Sequence, residues 1–313
     1  MTGGFLRILL RVFSPGAKTC MASERTVRLE CEGVSVFLLL VLSALQHIVK
    51  AEVKMLDMAP DAVDDDFFEC RDKMLKVVTD RLLQKELDSE KEFKDLWSKY
   101  NGTCKKNITG GTSLHTDALQ AYRNSKDKFR TNFNKLVYSI GTNSTTYRDF
   151  RFKSLHFLLS DSLRLLNPTN TCSTVYYGTD KKYTAVLGTE VRFGMFLNPR
   201  NSKSEAIEDV ISDEGSLFII NSCSVVDVEQ KLCYCEDLQY LLSPAEVFTV
   251  QKIENGPEYK EITLDHSDFL NNHHCSFFQS NAADLQPSNG SPVCRTLTLL
   301  ALMACVMALI ETA

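Results

Sequence analysis

The chain has 313 residues, 44% of them hydrophobic, and a net charge of -5, which suits one domain of ordinary to large size with a substantial core and processed ends. Acidic and basic residues are well mixed, the pattern of a solvated surface. No basic stripe interleaved with aromatics appears, so a nucleic-acid interface has no support.

The first element is an apolar run within Gly33 to Ala51, preceded by Arg11, Lys18, Arg25 and Arg28. It is shorter than the roughly 20 residues of a spanning helix, and Val49-Lys50-Ala51 places small residues around a cleavage site. Residues 1–51 therefore read as a secretory signal peptide, with Met21 an alternative start and a buried core helix the competing reading.

Helices follow. Asp64 to Asp66 can cap one whose apolar face includes Phe67, Met74, Val78 and Leu82. Ser89-Glu-Lys-Glu92 reads as a capping box ahead of Phe93, Leu96, Trp97 and Tyr100. Phe129, Phe133, Leu136, Val137 and Ile140 form another stripe, with Gly141 expected as its left-handed cap. Leu155 to Leu166 continues until Asn167-Pro168 stops it. These stripes read as core, and His156 among them reads as a packed core histidine.

Beyond Thr171 the texture changes to strands. Thr174 to Gly178, Glu190 to Leu197, Leu217 to Val226, Val247 to Ile253 and Glu261 to Asp265 are β-branched and aromatic runs between turn residues. Helices first and strands second predict an α+β domain over 52–286, a helical half packed on a β-rich half. The doublet His273-His274 is expected on the surface.

The last element is the tail. Ser288-Asn-Gly-Ser291 precede a terminal apolar run from Val293, the pattern of a removed glycosylphosphatidylinositol signal over 287–313, with a simple transmembrane anchor as the alternative. Both ends imply the extracellular face of the plasma membrane, where disulfides persist. Sequons at Asn101, Asn107 and Asn143 agree. Cys20 and Cys31 fall in the leader and Cys294 and Cys305 in the tail, leaving Cys70, Cys104, Cys172, Cys223, Cys233, Cys235 and Cys275 of the 11. An odd number leaves at least one thiol free or bonded to another molecule. Cys233-Tyr-Cys235 lacks a second ligand pair, so no metal is expected.

The order of several motifs resembles the vertebrate ecto mono-ADP-ribosyltransferases, which move ADP-ribose from NAD to protein arginines. Matching pieces are Leu56-Asp-Met-Ala-Pro60, Cys70-x-x-x-Met74, Ala118-Leu-Gln-Ala-Tyr122, Phe152-Lys-Ser-Leu-His-Phe-Leu-Leu159, Val175-Tyr-Tyr-Gly178, Val191-Arg-Phe-Gly194 and Leu241-Leu-Ser-Pro244. The resemblance implies pairs Cys70–Cys275 and Cys172–Cys223, NAD as co-substrate, and partners that are extracellular proteins with exposed arginines. It also implies a cofactor cleft at Tyr177, Gly178, Arg192, Phe193 and Asn198, with Gly178 letting the backbone pass close to a nucleotide.

The family's activity rests on an arginine gripping the pyrophosphate, a serine positioning the nicotinamide ribose, and a Glu-x-Glu pair. The last glutamate faces the positive charge that develops on the ribose as nicotinamide leaves. The matching positions here hold Tyr177, Asn198, Asp237 and Gln239. Loss of one such preorganised charge lowers a rate by roughly a hundred- to thousandfold. Activity is therefore expected to be weak or absent, the alternative being an inactive cell-surface binding or antigen protein on the same fold.

Overall fold

In a computed structural model of the chain, the described residues are 53–210, 215–233 and 238–278. The leader, the tail, Cys235 and Asp237 lie outside them.

Asp65 and Asp66 each accept the backbone N–H two residues on, from Phe67 and Phe68 at 2.9 Å. These turns, with left-handed Phe67 (φ 57), launch a 3-10 turn at Phe68–Cys70. Helix α1 (Arg71–Val77) passes through a π-helical stretch, Val78–Leu82, into α2 (Leu83–Ser89). α3 (Lys91–Tyr100) begins after a break at Glu90, and the expected capping box does not form. Ser89 Oγ instead donates back to Glu86 O at 3.0 Å, closing the helix behind it.

α4 (Ser113–Arg123), α5 (Asp127–Ser139), α6 (Ser144–Arg148) and α7 (Lys153–Leu166) complete the helical half. Gly141 after α5 is not left-handed. Glycine is required there for close approach, since an added Cβ would lie 2.6 Å from Ala62 O. Phe93, Phe129, Phe133 and Phe152 meet at the centre of this half. His156 is buried beside Phe67, Phe150 and Phe196, its Nε2 3.2 Å from Val63 O.

The second half is a five-stranded sheet of β2 (Ser173–Thr179), β5 (Gly215–Ser222), β9 (Tyr259–Phe269), β8 (Glu246–Asn255) and β4 (Glu190–Arg192), in that order. β5 and β9 are parallel and the other neighbours antiparallel. Two short pairs flank it: β1 (Lys54–Met55) with β3 (Tyr183–Thr184), and β6 (Val226–Asp227) with β7 (Tyr240–Leu241). Short helices α8 (Lys203–Glu208) and α9 (Val228–Lys231) lie between strands. The sheet has its own core of Val175, Phe218, Phe248, Ile262 and Leu264. The molecule is thus an α+β fold with a helical half and a β-rich half. Disulfides join Cys70 to Cys275, Cys104 to Cys233 and Cys172 to Cys223.

His273 departs from its expected surface position. It is buried, with Nδ1 2.6 Å from Asp64 Oδ1 and Nε2 2.9 Å from Gly141 O. A polar ring survives burial here because both nitrogens have partners. His274 beside it is exposed.

Candidate functional site

Tyr177 stands opposite Phe218 in the β2–β5 register, its ring stacked on Phe218 and edge-on to Phe193, each at 6.1 Å between centroids. Burial raises the pKa of its phenol, so the group is neutral. Gly178 is a mid-strand residue, and the close approach it permits is to the protein's own α8. An added Cβ would sit 1.8 Å from Ala206 O.

Asn198 is positioned from both halves. Asn134 of α5 brackets Phe196, accepting its N–H at 3.0 Å and donating to its carbonyl at 2.9 Å. Leu197 then pairs through its backbone with Leu242. Gln239 lies just before β7. Its carbonyl accepts the Val228 N–H at 2.8 Å, and its amide reaches Asp227 Oδ2 at 3.5 Å.

Tyr177, Gly178 and Asn198 share a cavity of about 540 Å³. Its other walls are Arg200 and Asp209 on one side and the start of α5, with Lys126, Asp127 and Arg130, on the other. Arg200 forks onto Asp209 at 2.9 and 3.1 Å, a pairing that raises the arginine's pKa. Arg130 pairs with Asp127 and also donates to the Ser125 carbonyl. Among the described lining residues, both carboxylates are therefore engaged by arginines, and Tyr177 and Asn198 are neutral. Such a cavity can bind an anionic or polar ligand, but it presents no free carboxylate to a developing cation. Gln239 is not among its lining residues.

Arg192 and Phe193, expected at the cofactor, are structural instead. Arg192 is buried, donating to Asp64 Oδ2 at 2.6 Å, Met58 O at 3.0 Å and Ala59 O at 2.7 Å. With those bonds filled, its guanidinium anchors the segment before α1. Phe193 is buried against Tyr177, Phe218 and Phe248. A second cavity, about 340 Å³ against Asp65, Asp66 and Arg164, contains none of the expected site positions.

The sequence reading missed Lys126, Arg130, Arg200 and Asp209. Arg200 had a usable signal, since alternation in an extended segment puts it on the side of Asn198. Arg130 and Lys126 had none, because only the tertiary fold brings α5 opposite β2. The sequon residues Asn101, Asn107 and Asn143 are all exposed, and Asn143 Oδ1 caps α6 through the Thr145 and Thr146 amides at 2.9 and 3.0 Å.

Residues 56–271 match the model of the family described as ART, NAD:arginine ADP-ribosyltransferase. T-cell ecto-ADP-ribosyltransferase 2 of Mus musculus is 30% identical over 260 residues, covering 80% of this chain and 87% of its own. T-cell ecto-ADP-ribosyltransferase 1 of Rattus norvegicus is 31% identical over 218 residues, 67% and 75% of the two chains. A crystal structure of a variant of the eukaryotic mono-ADP-ribosyltransferase ART2.2 in complex with NAD is similar with a TM-score of 0.60 and 28% identity, covering 71% of this chain and 98% of that one.

Proposed function

The chain belongs to the NAD:arginine ADP-ribosyltransferase family, and from that premise we propose that it is an extracellular protein whose transfer of ADP-ribose from NAD to protein arginine is weak or absent. The observation that carries this is Tyr177: the side chain at the family's arginine position packs its ring on Phe218 and is neutral. A phenol cannot offer the two-pronged cationic grip that a pyrophosphate takes from arginine. Asn198 keeps a hydrogen-bonding group at the serine position. Gln239 keeps the shape of a glutamate without the charge that opposes the ribosyl cation, and Asp237 leaves an acid on the acceptor side. NAD is the co-substrate on this reading, and no metal step is needed.

A catalytically silent cell-surface binding or antigen protein is the second reading, favoured by the arginine pairing of Asp127 and Asp209. Relatives named as ecto enzymes support the extracellular face. A signal peptide over 1–51, a transferase domain over 52–286, a lipid-anchor signal over 287–313 and glycans on Asn101, Asn107 and Asn143 complete the proposal, as do protein partners with exposed arginines.

The test incubates the purified protein with labelled NAD and an arginine-rich acceptor, beside a Tyr177→Arg, Gln239→Glu double variant. Background labelling by the parent and a gain in the variant are expected. Clear transfer by the parent overturns the weak-activity reading. Absence of NAD binding by calorimetry selects the silent binding protein.

A further inference from the structure

The disulfide end of the sheet brings together a donor set outside the cleft. Ser173 and Ser222 pair at the end of the β2–β5 ladder, and Cys172 and Cys223 are joined one position beyond. Cys172 is exposed, while Cys223 is buried. Behind Cys223, the buried Glu246 at the start of β8 accepts the Cys223 N–H through Oε1 at 2.6 Å. The same oxygen lies 2.8 Å from Nδ1 of His266 on β9. Cys223 Sγ, a Glu246 oxygen and a His266 ring nitrogen all lie within 4.8 Å of one another. None of the three lines the cavity at Tyr177.

Sulfur, carboxylate oxygen and imidazole nitrogen are the donors zinc takes, with bonds of about 2.0 to 2.3 Å. Tetrahedral donors on such bonds stand about 3.3 to 3.8 Å apart, a spacing small side-chain shifts reach from the observed cluster. While Cys223 is bonded to Cys172, its sulfur is not a thiolate and the donor set is incomplete. We propose that reduction of the Cys172–Cys223 disulfide completes a three-ligand zinc site at Cys223, Glu246 and His266.

The step balances as follows. A dithiol reductant gives two electrons and two protons to the sulfur pair, is itself oxidised to a disulfide, and leaves two thiols. The metal then takes Cys223 as thiolate, releasing one proton. It takes one Glu246 oxygen and the neutral His266 ring at Nδ1, whose proton moves to Nε2. Thiolate and carboxylate cancel the charge of the divalent ion, and water fills the fourth position. Ser222 Oγ and Ser224 Oγ, donating to Glu246 Oε2 at 2.6 and 2.5 Å, hold the carboxylate in place. Exposure of Cys172 gives the reductant a point of attack.

The test uses the full protein with Cys172→Ser, which frees Cys223 without any reductant. Cobalt(II) serves as a spectroscopic stand-in for zinc. Cys172→Ser is expected to bind one equivalent with a thiolate-to-cobalt charge-transfer band that zinc abolishes. The band should be absent in Cys172→Ser, Cys223→Ser and in the oxidised parent, and affinity should fall about tenfold or more with Cys172→Ser, His266→Gln. No band in Cys172→Ser, or equal binding with and without Cys223, overturns the proposal. A second measurement avoids mutation: the parent is treated with a dithiol and zinc, alkylated, and read by peptide mass. Labelled Cys172 with protected Cys223 supports the site, and labelling of Cys223 regardless of zinc overturns it.

Discussion

Asp64 shows what a single carboxylate does when two distant segments converge on it. Its Oδ2 takes Arg192 Nη1 at 2.6 Å and Asn272 Nδ2 at 2.9 Å, and its Oδ1 takes the His273 N–H at 3.1 Å and the His273 ring. Burial opposes the charge, but His273 and Arg192 outweigh it and lower the carboxyl to about 2. Its folded value lies below the unfolded one, so its stabilisation is present above about pH 4 and is lost as pH falls through 2. Asp64→Ala strands the Arg192 guanidinium, and urea unfolding should show a loss of about 3 to 5 kcal/mol. A loss below about 1 kcal/mol would mean that the pair contributes little. His156 titrates in the same direction. Burial, then His273, pushes the imidazole down to about 3, so the folded state keeps it neutral while the unfolded chain protonates near 6.5. Its contribution is lost as pH falls from 6.5 through 3. His156→Phe should flatten that arm of a urea-midpoint series between pH 6.5 and 4, and an unchanged slope would refute this.

At the scale of elements, α7 begins without a side-chain cap of its own. Glu86 in the middle of α2 supplies one, its two oxygens accepting the Lys153 and Ser154 N–H groups at 2.9 and 3.0 Å. Burial raises this carboxyl to about 7, against the pull of those amides. The folded state therefore holds a proton that the unfolded chain releases near 4.5, so this contribution falls as pH rises from 4.5 through 7 and opposes His156 there. Glu86→Ala should cost about 1 to 3 kcal/mol and speed hydrogen exchange in the first turn of α7. Gly178→Ala drives a methyl into the Ala206 carbonyl, and displacing α8 should cost about 1 to 3 kcal/mol, seen as a lower calorimetric melting temperature. These elements were unequally legible from sequence. The stripe from Phe129 to Val137 could be read because helical periodicity is local. Ser89 misled because its hydroxyl had a partner on either side of the break, the Glu86 carbonyl behind it as acceptor and the Glu92 N–H ahead of it as donor. Gly141, Arg192 and His273 could not be read, since their reasons lie in segments far along the chain: 128 residues separate Arg192 from Asp64, and 209 separate His273 from it. The cleft positions Tyr177 and Asn198 came from motif order, whereas Lys126 and Arg130 facing them needed the fold.

For the whole molecule, the bond between Cys70 and Cys275 spans 205 residues and encloses the helices from α1 onward, the sheet and both other disulfides. Removing it should destabilise the fold by about 5 kcal/mol in the chain-entropy account. Its geometry also sets a load path. Tension applied between the two ends of the chain enters at Cys70, crosses one sulfur–sulfur bond and leaves at Cys275. Apart from the contacts that β1 and Asp64 make with β3 and Arg192, the enclosed residues carry none of it. Pulled by its ends in single-molecule force spectroscopy, the oxidised protein should give no unfolding step from this region. With all three disulfides opened by reduction, roughly 700 Å of hidden contour becomes available. Anything that tugs on either end is thus resisted by a covalent clasp, and the cleft between the two halves keeps its shape under strain.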